Sequence, residues 1–296
     1  MPRIRFRHLG LWLLAVPWWL TGCSGVQILN NLAPQSEVEV VRDLVFDAEK
    51  NLTLDLYRPN GQAPAQSTQG WPVVVFYWGG RWQEGDKAMY QFVGRQLASR
   101  GILTVIPNYR LWPQVGYQGF LQDSAQALAW TQQQITAYGG SAEKIVLMGH
   151  SAGAYNAMML ALDTPFADQP QHKLAGAIGL SGPYDFLPFT ESDLQQMFAP
   201  AEDYEQTQPI YWANGKNAPV LLIHSQNDEV VYPKNSIHLQ RQIQRHGGEA
   251  ELVLIPELSH PMMIGAVSNL LTWKAPILSH IEQFVQQKTM VQSAVE

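Results

Sequence analysis

The sequence predicts an α/β domain: a mostly parallel sheet of about eight strands flanked by helices. Three observations predict it. From residue 37 onward, short apolar runs alternate with segments of helical period, and repeated strand–helix units bury a parallel sheet between layers of helices. Several runs, such as VVVFY at 73–77 and IVLM at 145–148, are apolar without alternation, as strands covered on both faces must be. The composition is that of a folded chain. With 46% hydrophobic and 15% charged residues over 296 positions, it is too apolar for intrinsic disorder and too poor in charge for a coiled coil.

The elements follow in order. Residues 38–47 and 52–57 alternate and form the arms of a hairpin at one sheet edge. After strand 73–77, Asp86 caps a helix that carries Met89, Val93 and Leu97 on one side and stops at Gly101. Residues 102–106 are the next buried strand. Phe120, Leu121, Ala125, Leu128, Ile135 and Tyr138 keep helical spacing until Gly139 and Gly140 end the helix. Strand 145–148 leads into helix 154–162. Strands at 174–180, 220–223 and 252–255 follow, with a helix through 238–246 between the last two. Ile277, Ile281, Phe284 and Lys288 mark a closing helix. Residues 183–212, rich in Pro, Gln, Phe and Tyr, break the alternation and read as an insertion forming a small cap over the sheet. Residues 61–70 read as an exposed loop.

Charge and cysteine usage exclude other classes. Lys plus Arg is 19 and Asp plus Glu is 25, a net charge of -6, so the basic surface that holds a nucleic-acid backbone is missing. One Cys permits neither an internal disulfide nor a Cys/His zinc cluster, and no metal or cofactor is expected. No pattern specifies an oligomeric state.

The N-terminus reads as a leader. Arg3, Arg5, Arg7 and His8 precede an apolar stretch at 9–20, interrupted by Gly10 and Pro17, in the manner of a charged n-region and a short h-region. About 12 residues are too few to span a bilayer, which takes about 20. The chain's one cysteine ends Leu20-Thr21-Gly22-Cys23, which resembles the bacterial lipobox. That resemblance implies removal of residues 1–22 and acylation of Cys23, with two or three acyl chains giving stable attachment to a lipid membrane. Ser24 after the cysteine resembles the pattern sorted to the outer membrane of Gram-negative cells, so a lipid-anchored protein of the cell envelope is expected. Removing residues 1–22 takes away three Arg and no acid, leaving 16 basic against 25 acidic residues, a net -9. Residues 24–35 carry no periodic pattern. The expected organisation is a leader at 1–22, a lipidated Cys and tether at 23–36, and one domain at 37–290.

The chemistry centres on Gly149-His150-Ser151-Ala152-Gly153, a G-x-S-x-G motif. It directly follows strand 145–148 and opens a helix, the strand–turn–helix setting of a nucleophile elbow. The glycines permit the sharp turn that exposes Ser151, and the helix N-terminus offers free N–H groups to an oxyanion. A serine hydroxyl needs a base near neutral pH. Of eight His, His8 lies in the leader and His150 inside the elbow, aimed away from the required direction. His172, His238, His246 and His280 fall in loops or on helices, solvated. His224 braces a loop. His260, in Leu258-Ser259-His260-Pro261 on the loop after the last strand, fits the chain order Ser, acid, His. Asp228 follows the preceding strand and supplies the acid, with Glu229 as the alternative. Trp78-Gly79-Gly80-Arg81-Trp82 follows the central strand, and its glycines let backbone N–H groups approach a carbonyl oxygen. The segment Gly79, Gly80 and Arg81, chiefly the N–H of Gly80 or Arg81, together with Ala152, is the expected oxyanion hole.

Taken together, these segments resemble the α/β-hydrolases of the carboxylesterase type, in the branch shared by bacterial esterases, feruloyl or acetylxylan esterase-like proteins and arylformamidases. The resemblance runs over roughly residues 37–288 and includes residues 78–87, Pro107-Asn108-Tyr109-Arg110-Leu111, the Ser151 elbow, Asp228 and His260. Trp78 stands where the H-G-G-x-W pattern has His, which removes a side chain that braces that loop. Ser181-Gly182-Pro183-Tyr184-Asp185-Phe186 resembles a family loop near the site without a catalytic role. The resemblance implies a serine hydrolase acting on small-molecule carboxylic esters through an acyl-enzyme. The alternatives are an amidase, such as an arylformamidase or peptidase, and a non-catalytic lipoprotein that binds partners through a hydrolase scaffold.

Overall fold

The computed structural model describes residues 21–63, 70–162, 164–166, 174–199, 201 and 203–289. The charged and apolar parts of the expected leader lie in residues 1–20, outside the described residues, as does His172.

Eight strands form one sheet: β1 (Val38–Asp47), β2 (Leu52–Pro59), β3 (Trp71–Tyr77), β4 (Leu103–Pro107), β5 (Gly140–His150), β6 (Gly176–Leu180), β7 (Val220–Ser225) and β8 (Ala250–Ile255). Their order is β1-β2-β4-β3-β5-β6-β7-β8. β1 and β2 form the expected antiparallel hairpin, β2 joins β4 antiparallel, and every pairing from β4 to β8 is parallel. The helices are α1 (Thr21–Leu32), α2 (Gln91–Ala98), α3 (Tyr117–Gln134), α4 (Ala152–Ala161), α5 (Ser192–Phe198), α6 (Lys234–Arg245), α7 (His260–Gly265) and α8 (Ile277–Thr289).

The unbroken apolar runs explain the layering. In β3, Val74 and Phe76 belong to one core cluster, while Val73, Val75 and Tyr77 belong to the other. A strand side chain alternates faces, so an apolar run fills both cores at once. Gly139 ends the turn after α3 at φ 85°, a left-handed conformation that glycine takes without a Cβ clash.

Three expectations require correction. Residues 24–35 are not a free tether: α1 runs through them and docks on the domain, with the Asn30 amide donating to Ala88 O (3.2 Å) and Met89 O (3.1 Å) and Ala33 buried. Helix periodicity was invisible there because only a narrow stripe of this polar segment is covered. The helix after Asp86 starts as a 3-10 turn at Lys87–Tyr90, which rotates Met89 out to solvent while Val93 and Leu97 stay buried. His260 does not lie in a plain loop; it opens the short helix α7.

The described residues of the expected insertion at 183–212 pack against loop 78–82 and helices α3 and α4. They carry α5 and two 3-10 turns, and their Phe186, Phe189 and Phe198 pack on one another and around Trp82 and Tyr155.

Candidate active site

The elbow is a tightly constrained turn. Ser151 stands between β5 and α4 at φ 54° and ψ -124°, with its N–H donating to Leu180 O at 2.9 Å. Two glycines make this possible. A Cβ on Gly149 would fall 2.1 Å from Gly153 O, and one on Gly153 would fall 2.0 Å from Tyr77 O. Neither position accepts any side chain, which is the physical content of the G-x-S-x-G spacing.

His260 Nε2 lies 2.8 Å from Ser151 Oγ, and His260 Nδ1 lies 2.8 Å from Asp228 Oδ2. Three side chains from positions 151, 228 and 260 thus form one hydrogen-bonded series. Asp228 is fixed by its own turn: its Oδ1 accepts the N–H groups of Val230 (3.0 Å) and Val231 (2.9 Å). Burial pushes its carboxyl up, but the hydrogen bonds from His260 and from Val231 N–H outweigh it and hold the group at about 2. Glu229, the alternative acid, is exposed to solvent. The Ser225 hydroxyl accepts from both Asn227 N and Leu258 N and so ties the acid loop to the histidine loop. His224 braces the acid loop as expected, donating from Nε2 to Val231 O (2.7 Å) and accepting at Nδ1 from Ser236 Oγ (2.7 Å).

His150 is the residue that sequence reasoning passed over. It is not the base, but it is not remote either. Its Nε2 donates to the carbonyl of His260 at 3.2 Å, and the two rings lie 4.9 Å apart. Burial, and then the neighbouring His260, depress it to about 3, so it stays a neutral donor. Its place inside the motif, one residue before the serine, was the available signal.

The loop at 78–82 is braced in a way that corrects another expectation. Trp78 does not leave the loop unsupported. Its indole N–H donates to Pro107 O (2.8 Å), its ring stacks on Tyr109 at 4.1 Å, and Tyr109 OH donates to Trp78 O (2.6 Å). Gly79 packs against the elbow, where a Cβ would come within 3.0 Å of Ser151 Cβ. Gly80, at φ 134°, turns the chain; a Cβ there would meet Glu84 O at 1.9 Å. Arg81 and Trp82 both take positive φ (55° and 59°). Asp86 and Asn108 join this loop to the end of β4, with Asn108 donating to Asp86 at 2.9 Å and accepting Lys87 N–H at 2.8 Å. Arg110 forks onto the buried Asp123 at 2.7 and 2.8 Å.

Ser151 opens into a cavity of about 360 Å³ bordered by Arg81, Trp82 and Ala152, with Phe186, Leu187 and Leu194 of the cap and Val230 and Tyr232 of the acid loop. Arg81 and Ala152 therefore border the same space as Ser151. Ala152 is the first residue of α4, whose first-turn N–H groups have no helical acceptor. Tyr184 and Asp185, in the loop of residues 181–186, donate their N–H groups to Asn235 Oδ1 (2.8 Å each), which fixes the cap's root. A hydroxyl, an imidazole and a carboxylate in series, beside free N–H groups and an apolar cavity, can activate an oxygen nucleophile and hold a developing oxyanion.

An eight-stranded, mostly parallel sheet with its serine elbow after β5, acid loop after β7 and histidine after β8 is an α/β-hydrolase. The chain belongs to the BD-FAE family, whose sequence profile it matches over residues 54–243. It is 28% identical over 246 residues to an isoprenylcysteine alpha-carbonyl methylesterase of Arabidopsis thaliana, covering 75% of this chain and 56% of that protein. It is 27% identical over 180 residues to a probable carboxylic ester hydrolase of Mycobacterium tuberculosis, covering 54% of this chain and 42% of that one. The chain thus spans about half the length of these curated relatives. Among solved structures, it superposes on a hyperthermophilic esterase from the archaeon Pyrobaculum calidifontis with a TM-score of 0.74 at 19% identity, over 91% of this chain and 92% of that one. A carbohydrate esterase from gut microbiota matches with a TM-score of 0.73 at 16% identity, over 88% of this chain and the whole of that one. At these identities the superpositions establish the fold alone.

Proposed function

We propose that this chain is a carboxylic ester hydrolase in which Ser151, His260 and Asp228 work as a triad. The observation that carries the reading is the unbroken series Asp228–His260–Ser151, with both links at 2.8 Å, on the wall of an apolar cavity. The names of the relatives, methylesterase and carboxylic ester hydrolase, support the same class.

The mechanism follows from the geometry. Ser151 Oγ attacks the ester carbonyl carbon as His260 Nε2 takes its proton. Asp228 holds Nδ1–H in place and offsets the charge of the imidazolium that forms. The oxyanion is received by backbone N–H groups of Ala152 and of the Gly80–Arg81 segment, each such donor worth about 3–4 kcal/mol of barrier. His260 then gives its proton to the leaving alcohol. Water, deprotonated by the same imidazole, releases the acid and restores the serine. The apolar walls suit the hydrocarbon part of an ester, and the route draws only on side chains and backbone.

Purified residue 24–296 protein is expected to hydrolyse short p-nitrophenyl esters and to be labelled by a fluorophosphonate at Ser151. Turnover of N-formylkynurenine without turnover of the esters would move the reading to an amidase. Failure of the wild type to label at Ser151 would leave a binding module on a hydrolase scaffold.

The same reading extends to the N-terminus. Residues 1–22 act as a lipoprotein leader, and Cys23 carries acyl chains that hold the domain on a membrane of the cell envelope. The support is the sequence Leu20-Thr21-Gly22-Cys23 after a basic and then an apolar segment. No helix among the described residues is long and apolar enough to cross a membrane. Replacing Cys23 with Ser is expected to move the protein from the membrane fraction to the soluble one.

A further inference from the structure

We propose that the face formed by α1 and the adjoining turn at residues 269–274 lies flat against the lipid bilayer that holds the chain's N-terminus. The inference rests on the acylation of Cys23 proposed above and goes beyond it, since a lipid tether alone would let the domain tumble above the surface.

The position of α1 on the domain comes first. Leu29 packs against the core, Ala33 is buried, and the Asn30 side chain bonds Ala88 O, Met89 O and Phe92 N. Ile28 and Leu32, four residues apart and so on one stripe, are instead 54% and 61% exposed. At 100° per residue that stripe lies on the Leu29 side of the helix, away from Asn30. The Leu29 side leads to α7 and the turn after it. A Cβ on Gly265 would lie 3.4 Å from Leu271 Cδ1 and 3.9 Å from Leu29 Cδ1, so the two leucines converge over this glycine. Beside Leu271, Leu270 is 43% and Trp273 76% exposed. Trp273 Nε1 donates to Leu270 O at 3.1 Å, which folds the indole alongside Leu270. Lys274 Nζ stands 4.9 Å from the centre of the Trp273 ring. Four large apolar side chains are therefore exposed on two elements that converge at Gly265. An indole beside a lysine suits the headgroup layer, where amphipathic rings and snorkelling ammonium groups reside.

Charge selects the occupant. Residues 21–36 contain no charged side chain, and residues 258–281 contain no carboxylate and one lysine. The chain has 25 acidic residues in 296, so roughly three would be expected across these forty positions. The two segments thus carry no carboxylate of their own, and Glu282, which stands beside the turn, is paired with Arg100, whose guanidinium also bonds Asn269; an anionic lipid headgroup meets little repulsion there. Distance agrees. Cys23 lies in the first turn of α1 and Ile28 five residues later, about 7.5 Å along the axis at 1.5 Å per residue. Acyl chains on Cys23 hold the start of α1 at the membrane surface, within about one and a half turns of Ile28.

The test exploits the single cysteine. Once Cys23 is acylated, Ile28→Cys or Trp273→Cys supplies the one free thiol for an environment-sensitive fluorophore, with Val45→Cys on exposed β1 as the control. The lipidated full chain is reconstituted in phosphatidylethanolamine–phosphatidylglycerol vesicles, with and without brominated acyl chains. Labels at 28 and 273 are expected to shift to the blue and to be quenched at least threefold more than the label at 45. Equal quenching at all three positions in protein that floats with the vesicles overturns the docking and leaves the anchor intact. A blue shift without bromolipid quenching assigns the face to a second copy or another protein and also overturns it. Protein that neither floats nor carries a modified Cys23 overturns the anchor reading itself, and the docking with it.

Discussion

Ser151 holds a positive φ that an L side chain accepts only where the surroundings over-determine it. Its neighbours supply that constraint, so the hydroxyl can be removed without relaxing the turn. Ser151→Ala is expected to keep the unfolding midpoint of the wild type while kcat falls by roughly 10⁴–10⁶-fold; ester kinetics and urea titration of the same preparation check both halves. His150 carries a different prediction. It is depressed to about 3 in the folded protein and titrates near 6.5 when unfolded. Between those values the unfolded chain binds a proton that the folded one refuses, so stability present above pH 6.5 is lost as pH falls toward 3. His224, also depressed by burial, acts with the same sign. In His150→Gln the loss of stability on acidification should be shallower by up to about 1.4 kcal/mol per pH unit, measured as urea midpoints between pH 7 and pH 4. An unchanged slope would count against a buried neutral imidazole at 150.

At the scale of elements, the elbow and the cap behave differently under substitution. Gly149→Ala and Gly153→Ala force a Cβ into backbone about 2 Å away. They should cost at least the upper end of the ~1–3 kcal/mol typical of overpacking, visible as a lowered Tm. The cap is held by aromatic packing: Phe198 touches Trp82, Tyr155, Phe186 and Phe189 and is fully buried. Phe198→Ala should cost about 3–5 kcal/mol and raise KM more than it lowers kcat, because the cavity wall loosens while the Ser151–His260 link is untouched. The ion pairs of Arg81 with Glu191 and Asp193, at 2.6 and 3.1 Å, also join the loop at 78–82 to the cap. They are exposed, so Glu191→Gln should shift stability by no more than ~1 kcal/mol. The cap was legible as a break in the alternation at 183–212, but its internal structure was not. Its helix is seven residues long, and its aromatic residues pack on one another, on Trp82 and on Phe120 and Tyr155 of α3 and α4, so no periodic pattern announces it.

Across the whole molecule, the sequence by itself determined the sheet. Runs such as 73–77 and 145–148 can be satisfied only by burial on both faces, and parallel strands joined by helices leave few topologies open. It also determined the elbow, since two glycines flanking a serine after such a run permit a turn that other residues forbid. Asp228 and His260 were read as acid and base from chain order, while their meeting was not legible. Whether His260 comes within 2.8 Å of both Ser151 and Asp228 depends on the packing of β5, β6, β7 and β8 in that order across the sheet. Tertiary structure alone decided between Asp228 and Glu229, because one faces inward on its turn and the other faces water. It turned Trp78 into a brace, put His150 behind His260, and laid α1 on the domain. Each of these is a contact between residues distant in sequence, and local pattern records only what neighbours along the chain require.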